Sequence, residues 1–298
     1  MQIPKFKKQK ITYILKIYLI RTKFIINMKI YLLLAWIALL NSASYAQKKL
    51  KKYQIINVEG HLCDIALPPD TVPIKGNLML LPGWNFPKED WCLKSSVCKK
   101  ALQQGYRLIL PEMGKSTYQS QNYPETRKDW LQYPTRKWVT QKLIPYLQDT
   151  FQIFKPNENN FILGLSTGAR GVLLLTIDLP DLFRAAAALS GDYDQTLIPQ
   201  DGVMRGYYGE FKYFPERWKT HDNVIFLLKK YNTPLYIGHG KQDKIIPYQQ
   251  SEILFQHIQK IAPDLKLIFN LKPNAGHDYT YWDSEVDSIL QFFKDSEK

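Results

Sequence analysis

Cysteine is scarce in this sequence, with three among 298 residues, and none has the C-x-x-C spacing typical of zinc or redox sites. No metal and no cofactor is therefore implied. Long apolar runs are missing as well, because the stretch from Ile30 to Leu40 is shorter than the ~20 residues that a membrane-spanning helix needs. Internal repeats and low-complexity linkers are also absent, so nothing marks a second domain.

Acidic residues are absent before Gln47, whereas eight basic residues lie there. Much of the formal net charge of +13 is therefore concentrated at this end, and the rest of the chain carries a modest excess typical of a solvated surface. Since no RNA- or DNA-binding motif accompanies it, we expect no nucleic-acid partner. The eight are Lys5, Lys7, Lys8, Lys10, Lys16, Arg21, Lys23 and Lys29.

The segment from Met28 to Ala46 has the layout of a secretory signal peptide: a short basic start, an apolar stretch, and small residues before the cleavage point. We expect a start at Met28, with residues 1–27 an upstream extension, and cleavage after Ala46. A retained membrane anchor is the alternative. The interpretation predicts a periplasmic or secreted protein with no stable membrane span after processing, in which residues 47–298 form a single catalytic domain.

Export leaves the state of Cys92 and Cys98 open. An oxidising compartment permits a disulfide, but one uninterrupted helix would hold positions six apart too far from each other. A bridge and two buried free thiols are both compatible with the sequence.

Strands and helices alternate along the mature chain, which predicts an α/β fold with a mostly parallel central sheet and helices on both faces. A helix is expected around Leu93 to Gln104, and another in WVTQKLIPYLQDTF, where Pro145 delays the start or kinks it. The expected strands are residues 53–58, 61–67, 77–81, 107–110, NFIL before Gly164, the alanine-rich run before Ser190, 235–238 and 265–271.

The stretch from Gln195 to Lys230 breaks this alternation and is rich in aromatic residues. One interpretation is an insertion at the mouth of the sheet that contacts substrate through Tyr207, Tyr208 and Trp218. The other is a loop whose aromatic side chains cover its own backbone.

Gly164-Leu165-Ser166-Thr167-Gly168 lies between an apolar strand and a helical run, which is the arrangement of a nucleophile elbow. A side chain at either glycine would collide with the neighbouring strand or helix in so tight a turn. Ser166 is thereby presented near the positive N-terminal end of a helix. The pattern favours a nucleophilic serine over an ordinary Ser/Gly turn.

A serine hydroxyl needs a base to take its proton and an acid to orient that base. In chain order the acid follows a late strand and the histidine follows the last strand. Asp243 and His277 have these positions, and the rival acids are Asp192, Asp194 and Asp278. The remaining histidines, which lack the required position, are His61, His221, His239 and His257.

The negative charge of a tetrahedral intermediate requires preorganised N–H donors. One is expected to be the backbone N–H of Thr167, and the second that of Trp84, with Gly83 as the alternative. In the same loop, Gly83 and Asn85 are expected to approach the substrate.

The segments GLSTGARGVLLLTIDLPDLFRAAAALSGDYD, HGKQDKIIP and AGHDYTYWDSEVDSILQFF resemble the esterase D-like family of α/β-hydrolases, which includes feruloyl and acetyl-xylan esterases, formylglutathione hydrolases and mycolyl transferases. The resemblance runs from about Gly76 to Phe293. The chain departs from it at Thr167, where the family often has Met, and at Ala169-Arg170, where it often has a second glycine. Arg170 either contacts an anionic part of the substrate or pairs with a nearby carboxylate.

Together these features predict an exported serine hydrolase that cleaves carboxylic esters through a Ser-His-Asp triad and an acyl-enzyme. The expected partner is a small-molecule or oligosaccharide ester; the oligomeric state is left open. A prolyl-oligopeptidase-like peptidase and an acyltransferase are the alternative enzymes. A non-catalytic binding protein on the same fold is the alternative of another class.

Overall fold

An eight-stranded sheet lies at the centre of the structure, a computed structural model that describes residues 29, 51–130 and 133–298. The sheet belongs to the compact unit formed by residues 49–298. The predicted upstream extension and signal peptide lie outside the described residues. No helix in the part of the chain that the structure describes combines the length and the hydropathy of a membrane span.

The strands lie in the order β1-β2-β4-β3-β5-β6-β7-β8. The pairs β1–β2 and β2–β4 are antiparallel, and every other neighbouring pair is parallel. This confirms the predicted mostly parallel sheet. The strands are β1 (Tyr53–Val58), β2 (His61–Ala66), β3 (Gly76–Leu81), β4 (Tyr106–Pro111), β5 (Asn160–Leu165), β6 (Ala185–Leu189), β7 (Leu235–Gly240) and β8 (Leu267–Lys272).

Ten helical segments and one 3-10 turn, Gln195–Leu197, are described around the sheet. The helical segments are α1 (Asp90–Lys94), α2 (Val97–Gln103), α3 (Thr135–Trp138 continuing through Leu147–Phe151), α4 (Thr167–Asp178), α5 (Gly202–Tyr208), α6 (Pro215–Lys219), α7 (Val224–Leu227), α8 (Gln249–Ile261), α9 (Tyr279–Ser284) and α10 (Val286–Lys294).

The side chains of β5 alternate between two cores, one on each face of the sheet. Phe161, Leu163 and Leu165 pack on the face covered by α2 and α10, whereas Ile162 packs on the opposite face, which α3 and α4 cover. Every residue of β5 is buried, because both faces of a parallel sheet are covered by helices. Such burial explains the near-continuous apolar runs by which the strands were predicted.

The helix predicted around Leu93 to Gln104 is present over Val97–Gln103, but it does not extend back to Leu93, because Ser95 and Ser96 separate it from the helix Asp90–Lys94. The break brings the Cα atoms of Cys92 and Cys98 to 5.1 Å, and a disulfide joins them. The interruption therefore removes the geometric objection to a bridge. Cys63 is the free, buried cysteine of the described residues.

Pro145 is accommodated inside α3, not at its start. The α-helical turns Thr135–Trp138 and Ile144–Tyr146 alternate with π-helical turns Val139–Leu143 and Leu147–Phe151. Since proline lacks an N–H and crowds the preceding turn, the wider turn Val139–Leu143 gives Pro145 the space that a regular α-helical turn would not.

Candidate active site

The elbow predicted around Ser166 is present between β5 and α4. Ser166 has φ 55° and ψ −125°, a strained conformation for a residue with a side chain. A Cβ at Gly164 would lie 2.3 Å from the carbonyl oxygen of Gly168, and a Cβ at Gly168 would lie 2.4 Å from that of Leu81. The turn can therefore form only with glycine at both positions.

Ser166 is held at the N-terminal end of α4, and its own N–H donates to the carbonyl oxygen of Leu189 on β6 at 2.8 Å. Its hydroxyl has no hydrogen-bond partner among the residues that the structure describes. The residue retains 8% of its accessible surface. A free hydroxyl at the positive end of a helix dipole is suited to attack an electrophile.

Asp243 follows β7 and accepts four hydrogen bonds. The backbone N–H groups of Ile245 and Ile246 donate to Oδ1, each at 2.8 Å. On Oδ2 the partners are His277 Nδ1 at 2.6 Å and His239 Nε2 at 3.2 Å. Burial disfavours the charged form, but the hydrogen bonds from His239 and His277 outweigh it and hold the pKa of Asp243 well below its ordinary value. Asp243 is therefore a carboxylate at neutral pH.

His277 lies in the loop after β8, and its Nδ1 faces Asp243. The imidazole also packs edge-on against Trp282, with 5.1 Å between ring centroids. Because Nδ1 donates to the carboxylate, Nε2 is left to act as a base.

Ser166, Asp243 and His277 follow β5, β7 and β8, whose carboxyl ends meet at one edge of the sheet because these strands run parallel. Trp282, which contacts His277, donates its Nε1–H to the hydroxyl of Ser190, the residue after Leu189. The structure thus forms the Asp243–His277 contact on the edge that carries Ser166. These described residues include no hydrogen bond between Ser166 and His277; such catalytic contacts are often long before substrate binds.

The three rival acids have other partners. Asp192 pairs with Arg170 at 2.8 Å. Asp194 accepts from the N–H of Thr196, and Asp278 accepts from that of Tyr281. None of them bonds to His277.

The loop after β3 lies directly against the elbow. A Cβ added to Gly83 would be 3.2 Å from that of Ser166, so glycine is what allows this approach. The N–H of Asn85 is already occupied by the carbonyl oxygen of Gly114, whereas those of Gly83, Trp84 and Thr167 have no acceptor among the described residues. Both candidates for the second donor, Gly83 and Trp84, therefore have an available N–H.

Tyr207, Tyr208 and Trp218, expected to contact substrate, are instead completely buried. Trp218 donates its Nε1–H to the carbonyl oxygen of Gly209, and the Tyr207 hydroxyl donates to the carbonyl oxygen of Lys115. The three side chains form a small core with Met204, which corresponds to the alternative of a loop that covers its own backbone. They offer no surface to a substrate in this structure, although Tyr207 packs edge-on against Trp84.

Arg170 is also fully buried, so it cannot reach a substrate as one interpretation required. It donates to the carboxylate of Asp192 at 2.8 Å, the hydroxyl of Tyr208 at 3.0 Å and the carbonyl oxygen of Asp222 at 2.5 Å. The residue thereby ties α4 to the aromatic insertion.

The contact between His239 and Asp243 was not predicted from the sequence. The available signal was the spacing of the two residues, four positions apart across the end of β7, but nothing in it indicated on which side of the strand end the ring lies.

Residues 93–293 match the family described as Putative esterase, which covers about two thirds of the chain. Among curated proteins, the chain is 25% identical over 228 residues to the diacylglycerol acyltransferase/mycolyltransferase Ag85C of Mycobacterium leprae. That match covers 66% of this chain and 66% of the relative, so the chain spans slightly less than two thirds of the relative's length.

Two solved structures share the architecture. The fluorophosphonate-binding serine hydrolase F of Staphylococcus aureus has a TM-score of 0.64 at 20% identity, over 81% of this chain and 98% of that one. An S-formylglutathione hydrolase from Agrobacterium tumefaciens has a TM-score of 0.65 at 15% identity, over 85% and 99%. At these identities the likeness concerns the fold. The family match confirms the resemblance seen in the sequence: the chain belongs to the family of putative esterases and has the α/β-hydrolase fold.

Proposed function

We propose that this protein is a serine esterase whose nucleophile, base and acid are Ser166, His277 and Asp243. The observation that carries the proposal is the 2.6 Å contact between His277 Nδ1 and Asp243 Oδ2, on the sheet edge that presents Ser166 on an elbow. A carboxylate so placed fixes the histidine tautomer that can accept a proton at Nε2.

Acylation begins when His277 Nε2 takes the proton of the Ser166 hydroxyl and the serine oxygen bonds to the ester carbonyl carbon. The intermediate collapses as its bond to the alcohol oxygen breaks, and the alcohol leaves with the proton from His277. In deacylation a water molecule gives its proton to His277 and attacks the acyl carbon. The bond to Ser166 then breaks, the proton returns to Ser166, and the carboxylic acid departs.

The oxyanion of both intermediates is stabilised by the backbone N–H of Thr167 and by a second N–H from the loop after β3. Trp84 is our choice for the second donor, because its ring is held by Trp130 and Tyr207, which fixes the backbone at that position. Asn85 lies on the exposed side of this loop and would contact the substrate.

We propose small esters, including acylated carbohydrate fragments, as substrates. The S-formylglutathione hydrolase among the structural relatives extends the candidates to thioesters, since the same acyl-enzyme route serves both. Acyl transfer to an alcohol instead of water is the second candidate, favoured by the acyltransferase/mycolyltransferase relative.

We further propose that the protein is exported and that its signal peptide is cleaved after Ala46. The Cys92–Cys98 disulfide supports this proposal, because structural disulfides persist mainly in oxidising compartments. Cell fractionation with N-terminal sequencing tests it; a cytoplasmic protein that retains residues 28–46 would contradict it.

The experiment for the activity compares the protein with Ser166→Ala, Asp243→Asn and His277→Gln on p-nitrophenyl acetate, feruloyl esters, acetylated xylan, S-formylglutathione and peptide amides. We expect ester turnover to fall by at least about a thousandfold in Ser166→Ala and His277→Gln. Near-parental turnover in all three variants would disprove the triad.

Cleavage confined to amides would indicate a peptidase, and a folded protein with no turnover would indicate a binding protein. Adding glycerol separates acyl transfer from hydrolysis by the product formed.

A further inference from the structure

A second imidazole contacts the proposed catalytic carboxylate. His239 lies near the end of β7, four residues before Asp243, and its side chain is completely buried. Its ring is enclosed by Asp243, Ile246 and Ser251, all within hydrogen-bond distance. The triad mechanism does not use this histidine.

The partners of His239 determine where its proton lies. Nε2 is 3.2 Å from Asp243 Oδ2 and 3.1 Å from the carbonyl oxygen of Ile246, and both atoms can only accept. Nε2 must therefore carry a hydrogen, shared between them. Nδ1 lies 2.7 Å from the hydroxyl of Ser251, which can donate to it and leave the ring neutral. The pocket thus selects one tautomer without requiring a positive charge.

This arrangement completes the set of donors around Asp243. Its Oδ1 is fixed by two backbone N–H groups of the following turn, and its Oδ2 is approached by two imidazoles. With only His277 on Oδ2, rotation of the carboxylate would be opposed from one side alone. The buried His239 contacts the same oxygen through its Nε2, and this second contact keeps Oδ2 directed at Nδ1 of His277.

We propose that His239 is a positioning residue of the esterase: it fixes the Asp243 carboxylate and limits how strongly that carboxylate attracts the proton of His277. The inference rests on the triad proposed above. A carboxylate that already accepts a hydrogen bond from His239 is a weaker acceptor for His277. Removal of His239 should therefore give the Asp243 carboxylate more freedom to rotate. It should also make this carboxylate a stronger acceptor for His277, so that His277 keeps its proton to higher pH.

Among the described residues, two tyrosines and one further carboxyl group lie near this site. Tyr281 approaches Asp243 from α9, and Tyr193 approaches Ser251 from the segment after β6. Burial raises the pKa of both tyrosines far above their ordinary range, so both stay neutral where a histidine titrates. Asp278, next to His277, is engaged by the N–H of Tyr281. A change in the acid limb of the activity profile in a His239 variant is thus attributable to the His239–Asp243–His277 chain.

The test compares His239→Leu, which removes the donor, with His239→Gln, whose amide N–H can replace Nε2–H. We measure kcat and KM for p-nitrophenyl acetate across pH, together with the rate of Ser166 labelling by a fluorophosphonate. In His239→Leu we expect kcat to fall about tenfold, the loss typical of one hydrogen bond to a charged group, with KM nearly unchanged. The acid limb of the pH profile of kcat/KM should move to higher pH. In His239→Gln, both kcat and the position of this acid limb should return most of the way to the parental values.

A parental kcat and pH profile in His239→Leu would overturn the proposal, as would a His239→Gln variant no better than His239→Leu. If the Leu variant fails to fold, Ser251→Ala answers the same question, because it keeps the ring but removes the hydroxyl that polarises it. We expect a smaller shift of the acid limb in the same direction, and an unchanged limb would again overturn the proposal. Failure of the proposed triad can be distinguished from failure of the His239 proposal, because the parental protein would then not be labelled at Ser166.

Discussion

Gly164 and Gly168 flank Ser166 with no space for an added methyl group at either position. This is the part of the site that the sequence predicts best, because the steric requirement acts between residues close together in the chain and in the strand beside them. The roles of Arg170 and Tyr208 were less predictable. The buried position of Arg170 depends on the carboxylate of Asp192 and the carbonyl oxygen of Asp222, and Asp222 lies on the long insertion, whose path the sequence pattern does not define.

We predict that Gly168→Ala destabilises the protein by about 1–3 kcal/mol, because the new Cβ would overlap the carbonyl oxygen of Leu81 and force the elbow to shift. Ester turnover should fall by about a hundredfold as Ser166 is displaced. Chemical denaturation and p-nitrophenyl acetate kinetics measure the two effects.

Gly202→Ala is the matched control, since an added Cβ at Gly202 meets nothing within 4 Å. Its stability should change by less than about 1 kcal/mol and its turnover should stay parental. Equal behaviour of the two variants would show that the elbow tolerates a side chain.

At the scale of elements, the central strands β3, β5, β6 and β7 were predictable because burial on both faces leaves continuous apolar runs. The interruption between α1 and α2 was not, since Ser95 and Ser96 are compatible with a helix. It becomes favourable through a distant contact: Asp283 of α9 accepts hydrogen bonds from the N–H and the hydroxyl of Ser96. The same helix carries Trp282, which packs against His277. The corner at Ser96 and the proposed catalytic base are therefore connected through α9.

The Cys92–Cys98 disulfide closes this corner, and we predict that Cys92→Ser/Cys98→Ser lowers the free energy of unfolding by about 2 kcal/mol, the loop-closure value for so short a loop. Thermal unfolding with and without a reducing agent provides the measurement. Reduction should lower the melting temperature of the parental protein to that of the double variant and leave the variant unchanged. A parental protein insensitive to complete reduction would contradict the prediction.

For the whole molecule, parallel strands far apart in the chain place Ser166, Asp243 and His277 on one sheet edge. The topology could be predicted from the alternation of strands and helices, and so could the order of these three residues. Sequence pattern did not distinguish aromatic side chains that face a substrate from those that form a local core, because both produce the same composition. Tyr207 and Trp218 are of the second kind.

The stability of the whole molecule should depend on pH through Asp192. Burial raises the pKa of this carboxyl to about 6, against the attraction of Arg170. Between about pH 4 and pH 6 the unfolded chain has then lost a proton that the folded protein retains, so the free energy of unfolding falls as the pH rises. Asp243 has the opposite sign and a lower range: its contribution is present above about pH 4 and lost below it.

We predict that the parental protein loses on the order of 2 kcal/mol from pH 4 to pH 6 relative to Asp192→Asn, which has no proton to lose. Urea denaturation of both proteins across this range gives the difference. A constant difference between them would show that Asp192 titrates alike in the folded and unfolded states.

The most direct test of the central claim is to locate, by peptide mass spectrometry, the residue that a fluorophosphonate modifies. We predict a single adduct on Ser166 that is absent from Ser166→Ala, retained in Ser190→Ala and formed much more slowly in His277→Gln. An adduct on another residue would contradict the account, and so would loss of ester turnover after treatment with the probe while Ser166 stays unmodified.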